Sequence, residues 1–410
     1  MKNISKSIEK LDSKDKAFGK EPYVNDLTLE GALYAKTLRS PYAKAKIVGR
    51  HYPELPEGYY IIDYTHIKGA NVVKVIFDDM PVFAVDTVSY YQEPIALVIG
   101  EKKQTVLDLM AQIDIQYEEL EPLFEWTNSV IEYHFNKGDI EGCKAQATSV
   151  ITYDYETNYQ EQLYIEPQGM IGYHDGNQVV LIGSIQCPYY VKNAVIAILD
   201  STEDYVRVKQ ATVGGAFGGK EEFPSLLACH LAVAVNKINK PIKLIYEREE
   251  DMETTTKRHP AKIKLKAFIK DNEILGMESN VGIDAGAYIG LSGVVLSRAL
   301  IASTGAYTID NLEINGDVFI TNTVPNGAFR GFGAPQMLFA VEMFIHHIAK
   351  ELNLDALELR QKYLAKQNDA TSTGGEFRDP IIMPEMLEKV LKESNYKQKV
   401  KEYEGTYKGI

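Results

Sequence analysis

Residues Gly214 to Glu221 form the stretch Gly-Gly-Ala-Phe-Gly-Gly-Lys-Glu, in which four of the first six residues are glycine. A backbone with so few side chains adopts positive φ at little steric cost and can approach a ligand closely. A lysine and a glutamate follow at once, so the loop offers charged groups beside bare backbone. The stretch therefore predicts a loop that binds a ligand through close backbone contacts, with one acidic side chain nearby.

The same stretch comes close to a phosphate-binding P-loop, because Gly214, Gly219 and Lys220 have the required spacing. A P-loop continues with serine or threonine, whose hydroxyl binds Mg²⁺, whereas this chain continues with Glu221. A carboxylate there would repel the phosphates. A P-loop-like nucleotide-binding module is thus kept only as an alternative from another functional class.

A second glycine-rich stretch, Gly-Ala-Phe-Arg-Gly-Phe-Gly-Ala-Pro-Gln, covers residues 327–336 and repeats the Gly-Ala-Phe of the first. Arg330 offers a forked donor for phosphate or carboxylate. Phe332 lies between two glycines that cannot shield its ring, so the ring could stack on a flat ligand. A tight turn with a core phenylalanine is the competing interpretation.

Three further places carry polar groups in apolar surroundings. Gln186 ends an apolar strand, where its amide could donate a hydrogen bond into a site. Arg298 lies in an apolar, helix-like stretch, so it must reach water or a partner, for which Glu221 is a candidate. The stretch from Asp284 to Tyr288 is interpreted as a turn or bulge.

Length, charge and cysteine content restrict the class of protein. The chain has 410 residues, enough for two or three domains, and a net charge of −13, which argues against nucleic-acid and anionic membrane surfaces. Its three cysteines form no C-x-x-C pair, which argues against an iron–sulfur site here and suits a reducing compartment. With no signal-like N-terminus and no apolar run of about 18 residues, the sequence predicts a cytoplasmic protein.

Apolar patterns divide the chain into four parts and predict an α+β fold. The parts are a polar N-terminal segment (1–20), a compact α/β unit (21–122), an irregular linker (123–146) and a second, mixed unit ending in a charged tail (147–410). Strands are predicted at 32–38, 72–77, 94–99, 114–119, 149–155, 179–184, 204–213 and 242–246. Helices are predicted at 105–115, 225–235 and 335–352, and a half-exposed strand at 261–270, which a turn at Asp271-Asn272 joins to a second strand as a hairpin.

The two glycine-rich stretches together resemble those of the xanthine oxidase family of molybdenum hydroxylases. Supporting stretches, in the same order, are Ile165-Glu-Pro-Gln168, Glu247 through Arg258-His-Pro260, and Asp284-Ala-Gly-Ala-Tyr288. The resemblance implies a hammerhead-type α/β domain at 21–122 and the first of two molybdopterin-binding domains at 147–410. The family's molybdenum subunit normally continues through a second such domain, which carries the general-base glutamate. A subunit split into two polypeptides is therefore expected, with a fragment as the alternative.

The resemblance also assigns roles to single residues. Those implied to contact a molybdopterin-type cofactor are Gln186, Gly215, Phe217, Gly218, Phe329 and Arg330. Those implied to act in catalysis are Gln186, Glu221 and Arg298, while Glu221, Arg298 and Phe332 would bind substrate. No side chain is expected to ligate the molybdenum, which the pterin dithiolene holds.

The implied activity is hydroxylation of a purine ring carbon with water as the oxygen source. Expected partners are a second molybdopterin-binding chain, an iron–sulfur subunit with [2Fe–2S] clusters and an FAD subunit, assembled as a dimer of the heteromer. A nicotinate or other N-heterocycle hydroxylase is the nearest alternative, and a non-catalytic scaffold subunit is another. No nucleic acid or membrane partner is expected.

Overall fold

Many strands of this protein are apolar runs bounded by turn residues. The computed structural model describes residues 6–408. Its strands are β1 (Leu33–Arg39), β2 (Ala45–His51), β3 (Tyr60–Asp63), β4 (Thr87–Val88), β5 (Pro94–Gly100), β6 (Asp114–Glu119), β7 (Ser129–Lys137), β8 (Ser149–Thr157), β9 (Gly169–His174), β10 (Val179–Gly183), β11 (Val206–Gln210), β12 (Ile242–Ile245), β13 (Ala261–Lys270), β14 (Glu273–Asp284) and β15 (Leu312–Phe319).

The helices fall between these strands and at the C-terminal end. They are α1 (Ser13–Ala17), α2 (Lys103–Met110), α3 (Ile140–Gln146), α4 (Pro188–Leu199), α5 (Pro224–Ile238), α6 (Arg248–Thr254), α7 (Ser292–Ile301), α8 (Ala334–Glu351), α9 (Ala356–Tyr363), α10 (Met383–Glu393) and α11 (Tyr396–Tyr403). Short 3₁₀ helices cover Tyr64–His66 and Glu203–Tyr205. Proline in the first turn of α4, α5, α8 and α10 suits a position whose N–H needs no helical partner.

A seven-stranded sheet contains strands from both predicted units, in the order β11-β10-β9-β12-β1-β5-β3. The β1–β12 and β10–β11 pairs are parallel. Helices α4 and α5 pack together beside it, and α5 is buried along most of its length. One apolar core contains residues from both units, such as Leu33, Leu97, Leu181 and Leu227. The predicted units at 21–122 and 147–410 therefore share a sheet and a core.

A five-stranded sheet has the order β7-β15-β14-β13-β8. In β13 buried residues alternate with lysines at exposed positions, so the sheet has one apolar face. Helices α7 and α8 contact this sheet, and their side chains join its core. A three-stranded sheet, β4-β2-β6, packs its own small core around Ala45, Val88 and Ile95.

The predicted α+β class is confirmed, and so is the hairpin formed by the strand at 261–270 and the one after it. Strands β13 and β14 pair antiparallel from Lys270 and Glu273 onward. Between them Asp271 and Asn272 have φ of 51° and 60°, the left-handed conformation that such tight turns require. The stretch from Asp284 to Tyr288 forms the predicted turn, with Gly286 at φ 72°.

Two predictions about secondary structure are wrong. Residues 72–77 form no strand; Val73 is buried in the core from a loop, so its burial imitated a strand. Residues 123–146 are no irregular linker, because they contain β7 and α3. Strand β7 pairs with β15 at the edge of its sheet and is largely exposed, so it carries the polar composition of a linker.

None of the helices within residues 6–408 has both the length and the hydrophobic character that crossing a lipid bilayer requires.

Candidate functional site

The parallel pair β10–β11 brings Gln186 to the first glycine-rich loop (residues 214–221, here the first loop). Gln186 follows β10 and the first loop follows β11, so both leave the sheet at the same edge. The Oε1 of Gln186 accepts hydrogen bonds from the backbone N–H groups of Gly218 (3.1 Å) and Lys220 (3.2 Å). These bonds fix the side-chain carbonyl, so the exposed amide group is oriented to donate outward.

The second glycine-rich loop (residues 327–333, here the second loop) meets the first loop directly. The Arg330 N–H donates to the carbonyl oxygen of Phe217 at 2.8 Å. A Cβ at Gly218 would lie 2.6 Å from the Ala328 carbonyl oxygen and 2.8 Å from the Phe329 Cα. Only glycine fits there, and its φ of 101° favours glycine as well. The two stretches that the sequence singled out thus form one junction.

Helix α7 supports the end of the second loop and carries Arg298. Gly333, at φ 91°, packs so closely on α7 that a Cβ would overlap the carbonyl oxygen of Val295. Arg298 lies one turn further along α7 and is exposed. Within residues 6–408 neither Arg298 nor Glu221 takes part in an ion pair, so Glu221 is not the partner of Arg298.

The aromatic residues of the junction differ in what they can offer a ligand. Phe217 has φ 51° and is 50 % exposed. The Phe329 ring is covered by the Arg258 guanidinium, whose Cζ lies 3.8 Å from the ring centroid. Phe332, at φ 54°, is half-buried against the core of the five-stranded sheet, so part of its ring packs inward. Gly215, at φ 101°, packs on Tyr164 beneath the first loop.

Lys220 turns away from the junction and into the protein. Its side chain is fully buried, and its Nζ donates to Glu166 Oε2 at 2.9 Å and to Ser184 Oγ at 3.0 Å. It also lies 4.8 Å from the Tyr164 ring centroid. Burial lowers the pKa of Lys220, and Glu166 opposes this shift. A lysine held in this way cannot reach a phosphate above the loop, so the P-loop alternative is wrong.

Several residues that hold the junction were not predicted from the sequence. Gln162 Nε2 donates to the Ala328 carbonyl (3.0 Å), and Gln168 Nε2 donates to the Gly219 carbonyl (2.6 Å). Glu166 accepts from the Gly214 N–H at 2.7 Å. Glu166 and Gln168 belong to a stretch that already supported the family resemblance, whereas Gln162 carried no recognisable pattern.

Glu221 is the acidic side chain at the edge of the junction. It is half-buried, and burial raises the pKa of its carboxyl. No hydrogen bond from its side chain is present within residues 6–408. Glu221 can therefore accept a hydrogen bond from a ligand when ionised, or donate one when protonated.

The junction suits an organic cofactor with anionic groups. The bare backbone at Gly218 permits close approach, the Gln186 amide can donate, and the exposed Arg330 guanidinium has no ion-pair partner within residues 6–408. In the same range no group of three or more His, Cys, Asp or Glu is arranged to hold a metal ion. The bare backbone at Gly218 and the donors of Gln186 and Arg330 fit a group held by backbone contacts and hydrogen bonds.

Comparison with protein-family models gives two matches that together cover most of the chain. The molybdopterin cofactor-binding domain matches residues 123–364. The a/b hammerhead domain of aldehyde oxidase and xanthine dehydrogenase matches residues 18–121. The chain thus carries a molybdopterin cofactor-binding domain behind a hammerhead domain.

Two relatives differ in how much of their length this chain spans. It is 29 % identical to the nicotinate dehydrogenase large molybdopterin subunit of Eubacterium barkeri, over 94 % of this chain and 95 % of that protein. It is 30 % identical to a probable xanthine dehydrogenase subunit of Bacillus subtilis, over 87 % of this chain and 50 % of that protein. The chain therefore spans nearly the whole of the first relative and half of the second.

Among solved structures, the aldehyde oxidoreductase of Desulfovibrio gigas has the same fold. The superposition has a TM-score of 0.89 and covers 97 % of this chain and 47 % of that chain, with 24 % sequence identity. This similarity concerns the fold alone.

Proposed function

Since this chain belongs to the xanthine oxidase family of molybdenum hydroxylases as a molybdopterin-binding subunit, we propose that it supplies half of an active site that hydroxylates a purine ring carbon. The observation that carries the proposal is the junction of the two loops at Gly218. There two backbones meet beside an amide donor, an exposed guanidinium and an acid. This combination of groups could bind a cofactor on one side and a polar substrate ring on the other.

The cofactor would be held mainly by backbone groups and by two donors. Gly215, Phe217 and Gly218 would face it, Gln186 would donate its amide hydrogens, and Arg330 would neutralise anionic charge. When bound, the molybdenum cofactor supplies the two-electron oxidation that takes oxygen from water. Phe329 would act less directly, since its ring packs against Arg258.

The substrate would lie between Glu221 and Arg298, which are not engaged with each other. A purine presents ring N–H groups and, when oxygenated, carbonyl oxygens. Glu221 would hold a ring nitrogen, and its burial-raised pKa would let it share a proton with that atom. Arg298 would stabilise the negative charge that grows on the ring during attack. The exposed part of the Phe332 ring would pack on the purine face.

Other chains would complete the enzyme. A second molybdopterin-binding chain would bring the general-base glutamate, and an iron–sulfur subunit and an FAD subunit would carry electrons away. The name of the E. barkeri relative, a large molybdopterin subunit, supports an assembly of several chains. We place a dimer of this heteromer in the cytoplasm, in keeping with the free thiols of Cys143, Cys187 and Cys229.

Hydroxylation of nicotinate or a related pyridine is the second candidate. Its support is the match in length with the nicotinate dehydrogenase subunit of E. barkeri. A pyridine carboxylate could pair with Arg298, but an ionised Glu221 beside it would repel the carboxylate. The pair Glu221 and Arg298 therefore favours a purine substrate, while the similarity to the E. barkeri subunit favours a pyridine.

Turnover by the assembled complex separates these candidates. We expect oxidation of xanthine or hypoxanthine at a higher kcat/KM than of nicotinate. Faster turnover of nicotinate would transfer the proposal to the second candidate. No turnover of any N-heterocycle by a molybdenum-loaded complex would reject both.

Two substitutions test the assigned roles in that complex. Arg298→Ala should lower kcat by roughly 10²-fold or more, the scale of losing one donor to a developing anion. Gln186→Glu keeps an oxygen acceptor for Gly218 and Lys220 but removes the amide donor, so it should also lower kcat while the fold persists. Arg378→Ala, which removes an exposed guanidinium elsewhere, is the matched control. Unchanged turnover in Arg298→Ala would remove its assigned role.

A further inference from the structure

Glu222 follows Glu221 in the chain but points into the protein, beneath the second loop. It is 9 % exposed, and its Oε1 accepts the Ala328 N–H at 2.8 Å. A Cβ at Gly327 would overlap that same oxygen, so the glycine at 327 leaves the space that the carboxyl occupies. Glu222 thus belongs to the segment that follows the first loop, and its carboxyl packs against the inner side of the second loop.

Only one of the two oxygens of this carboxyl has a hydrogen-bond partner within residues 6–408. Its Oε2 is buried without a hydrogen-bond partner within residues 6–408, as are Thr256 Oγ1 and Asn326 Oδ1. The three residues border one small cavity of about 30 Å³. A buried polar atom without a partner costs more than one hydrogen bond returns, so packing alone does not account for Glu222.

Burial raises the pKa of Glu222 to about 8, with a smaller contribution from the neighbouring Glu221. Near neutral pH the carboxyl is therefore largely protonated. A neutral side chain of this shape can still accept the Ala328 hydrogen bond, which a glutamine would reproduce.

Hydrogen bonds from different parts of the chain hold the second loop at Ala328 and at Arg330. Ala328 is bound through its N–H by Glu222 and through its carbonyl by Gln162 at 3.0 Å. Arg330 is bound through its N–H by the Phe217 carbonyl at 2.8 Å. Loss of the Glu222 bond would leave Ala328 held through its carbonyl alone, while Arg330 would keep its bond to Phe217 and the bond that its carbonyl accepts from the Arg258 guanidinium at 3.1 Å.

We propose that Glu222 is a positioning residue whose carboxyl fixes Ala328 and thereby sets where Phe329 and Arg330 stand relative to the first loop. Its carboxyl lies beneath the second loop, away from the face that a ligand would approach, so it acts through that loop. The importance of this arrangement for catalysis rests on the proposed function, since it is the cofactor that Arg330 would hold.

Amide hydrogen exchange across residues 326–333, measured on the full chain in complex with its partners, tests the proposal. Glu222→Ala should accelerate exchange in this segment about tenfold, the equivalent of one lost hydrogen bond. Glu222→Gln should exchange at the wild-type rate, because it keeps an acceptor at the same place. Glu222→Asp, whose carboxyl is one methylene shorter, should be intermediate and serves if the alanine variant fails to fold.

Glu278→Ala is the matched control, since Glu278 is equally buried but pairs with Lys266 in the five-stranded sheet. It should leave exchange at 326–333 unchanged. Wild-type protection in both Glu222→Ala and Glu222→Asp would overturn the proposal. Equal acceleration by Glu278→Ala would do the same, since the effect would then be general destabilisation.

Molybdenum content of the same complexes is the second readout. The alanine variant should retain less metal than wild type, and the glutamine variant should match wild type. If wild type itself contains no molybdenum, the proposed function fails while the exchange result still decides the role of Glu222. Full metal retention in Glu222→Ala with accelerated exchange would show that the fixed position is not needed for the cofactor and would overturn the link to Arg330.

Discussion

At Gly218 the backbones of two loops lie so close that a hydrogen atom is the largest side chain that fits. The nearest obstacles are the backbone of Ala328 and Phe329, which cannot rotate away as a flexible side chain could. The function proposed for the chain depends on this contact, because it places Phe217 and Arg330 on one surface.

Gly218→Ala should therefore separate the loops. The variant combines the strain of φ 101° with a backbone clash, and we expect a cost of about 1–3 kcal/mol in the free energy of unfolding together with loss of bound molybdenum. Gly176→Ala is the control, since Gly176 has φ 97° but open space around it. If both variants retain metal equally, the close approach at Gly218 has no part in cofactor binding.

Single residues were predictable where the residue type itself carries the chemistry. The glycines, Gln186 and Arg330 stand out in the sequence because their neighbours are small or apolar, and the structure brings them together. Gln162 and Glu222 were not predictable, because each acts on a backbone group more than 100 residues away in the chain. Lys220 was misleading, since its spacing matches a P-loop while its side chain is buried.

At the scale of elements, regular apolar patterns were the reliable guide. The lysine alternation in β13 and the Asp-Asn turn specified the hairpin, since one face is buried and the turn requires positive φ. The exposed edge strand β7 was predicted as part of a linker, and the buried loop around Val73 was predicted as a strand. The composition of a stretch reflects how buried it is. Its burial depends on the elements packed against it, which the stretch itself does not identify.

The hairpin turn allows a direct test. Asn272 has φ 60°, which glycine adopts freely and a β-branched residue does not. Asn272→Val should lower the free energy of unfolding by about 1–2 kcal/mol, whereas Asn272→Gly should leave it equal or slightly higher. Thermal or denaturant unfolding of the two variants checks this. Equal stability of both would contradict the turn conformation.

At the scale of the whole molecule, the hammerhead part is tied into the cofactor-binding part. Strand β1 continues the sheet beside β12, and the two parts share a core. His230 on α5 adds to this connection, since its ring stacks on Phe83 at 4.5 Å and its Nε2 hydrogen-bonds the Val82 carbonyl at 2.8 Å. The apolar pattern of the sequence changes near residue 122, but the parts before and after this boundary do not have independent cores.

His230 gives this connection a pH dependence. Burial lowers its pKa to about 3, whereas an unfolded histidine titrates near 6.5. Below pH 6.5 the unfolded state binds the proton that the folded state excludes, so the contribution of His230 falls as pH falls. Between pH 7 and pH 5 wild type should lose about 2 kcal/mol relative to His230→Gln.

Denaturant unfolding of wild type and variant at the two pH values measures this difference. His51→Gln, which changes an exposed histidine, should unfold in parallel with wild type at both. A constant gap between wild type and His230→Gln would mean that the ring takes up its proton over the same pH range in the folded and unfolded states, and would contradict the exclusion of the proton from the folded protein.

Cofactor binding at the junction of the two loops is tested by the molybdenum and pterin content of this chain, purified with its partner chains from a host that makes the cofactor. We expect about one molybdenum and one pterin per chain, both reduced in Gly218→Ala and retained in Gly176→Ala. A wild-type complex that is folded and fully assembled but contains neither would contradict it.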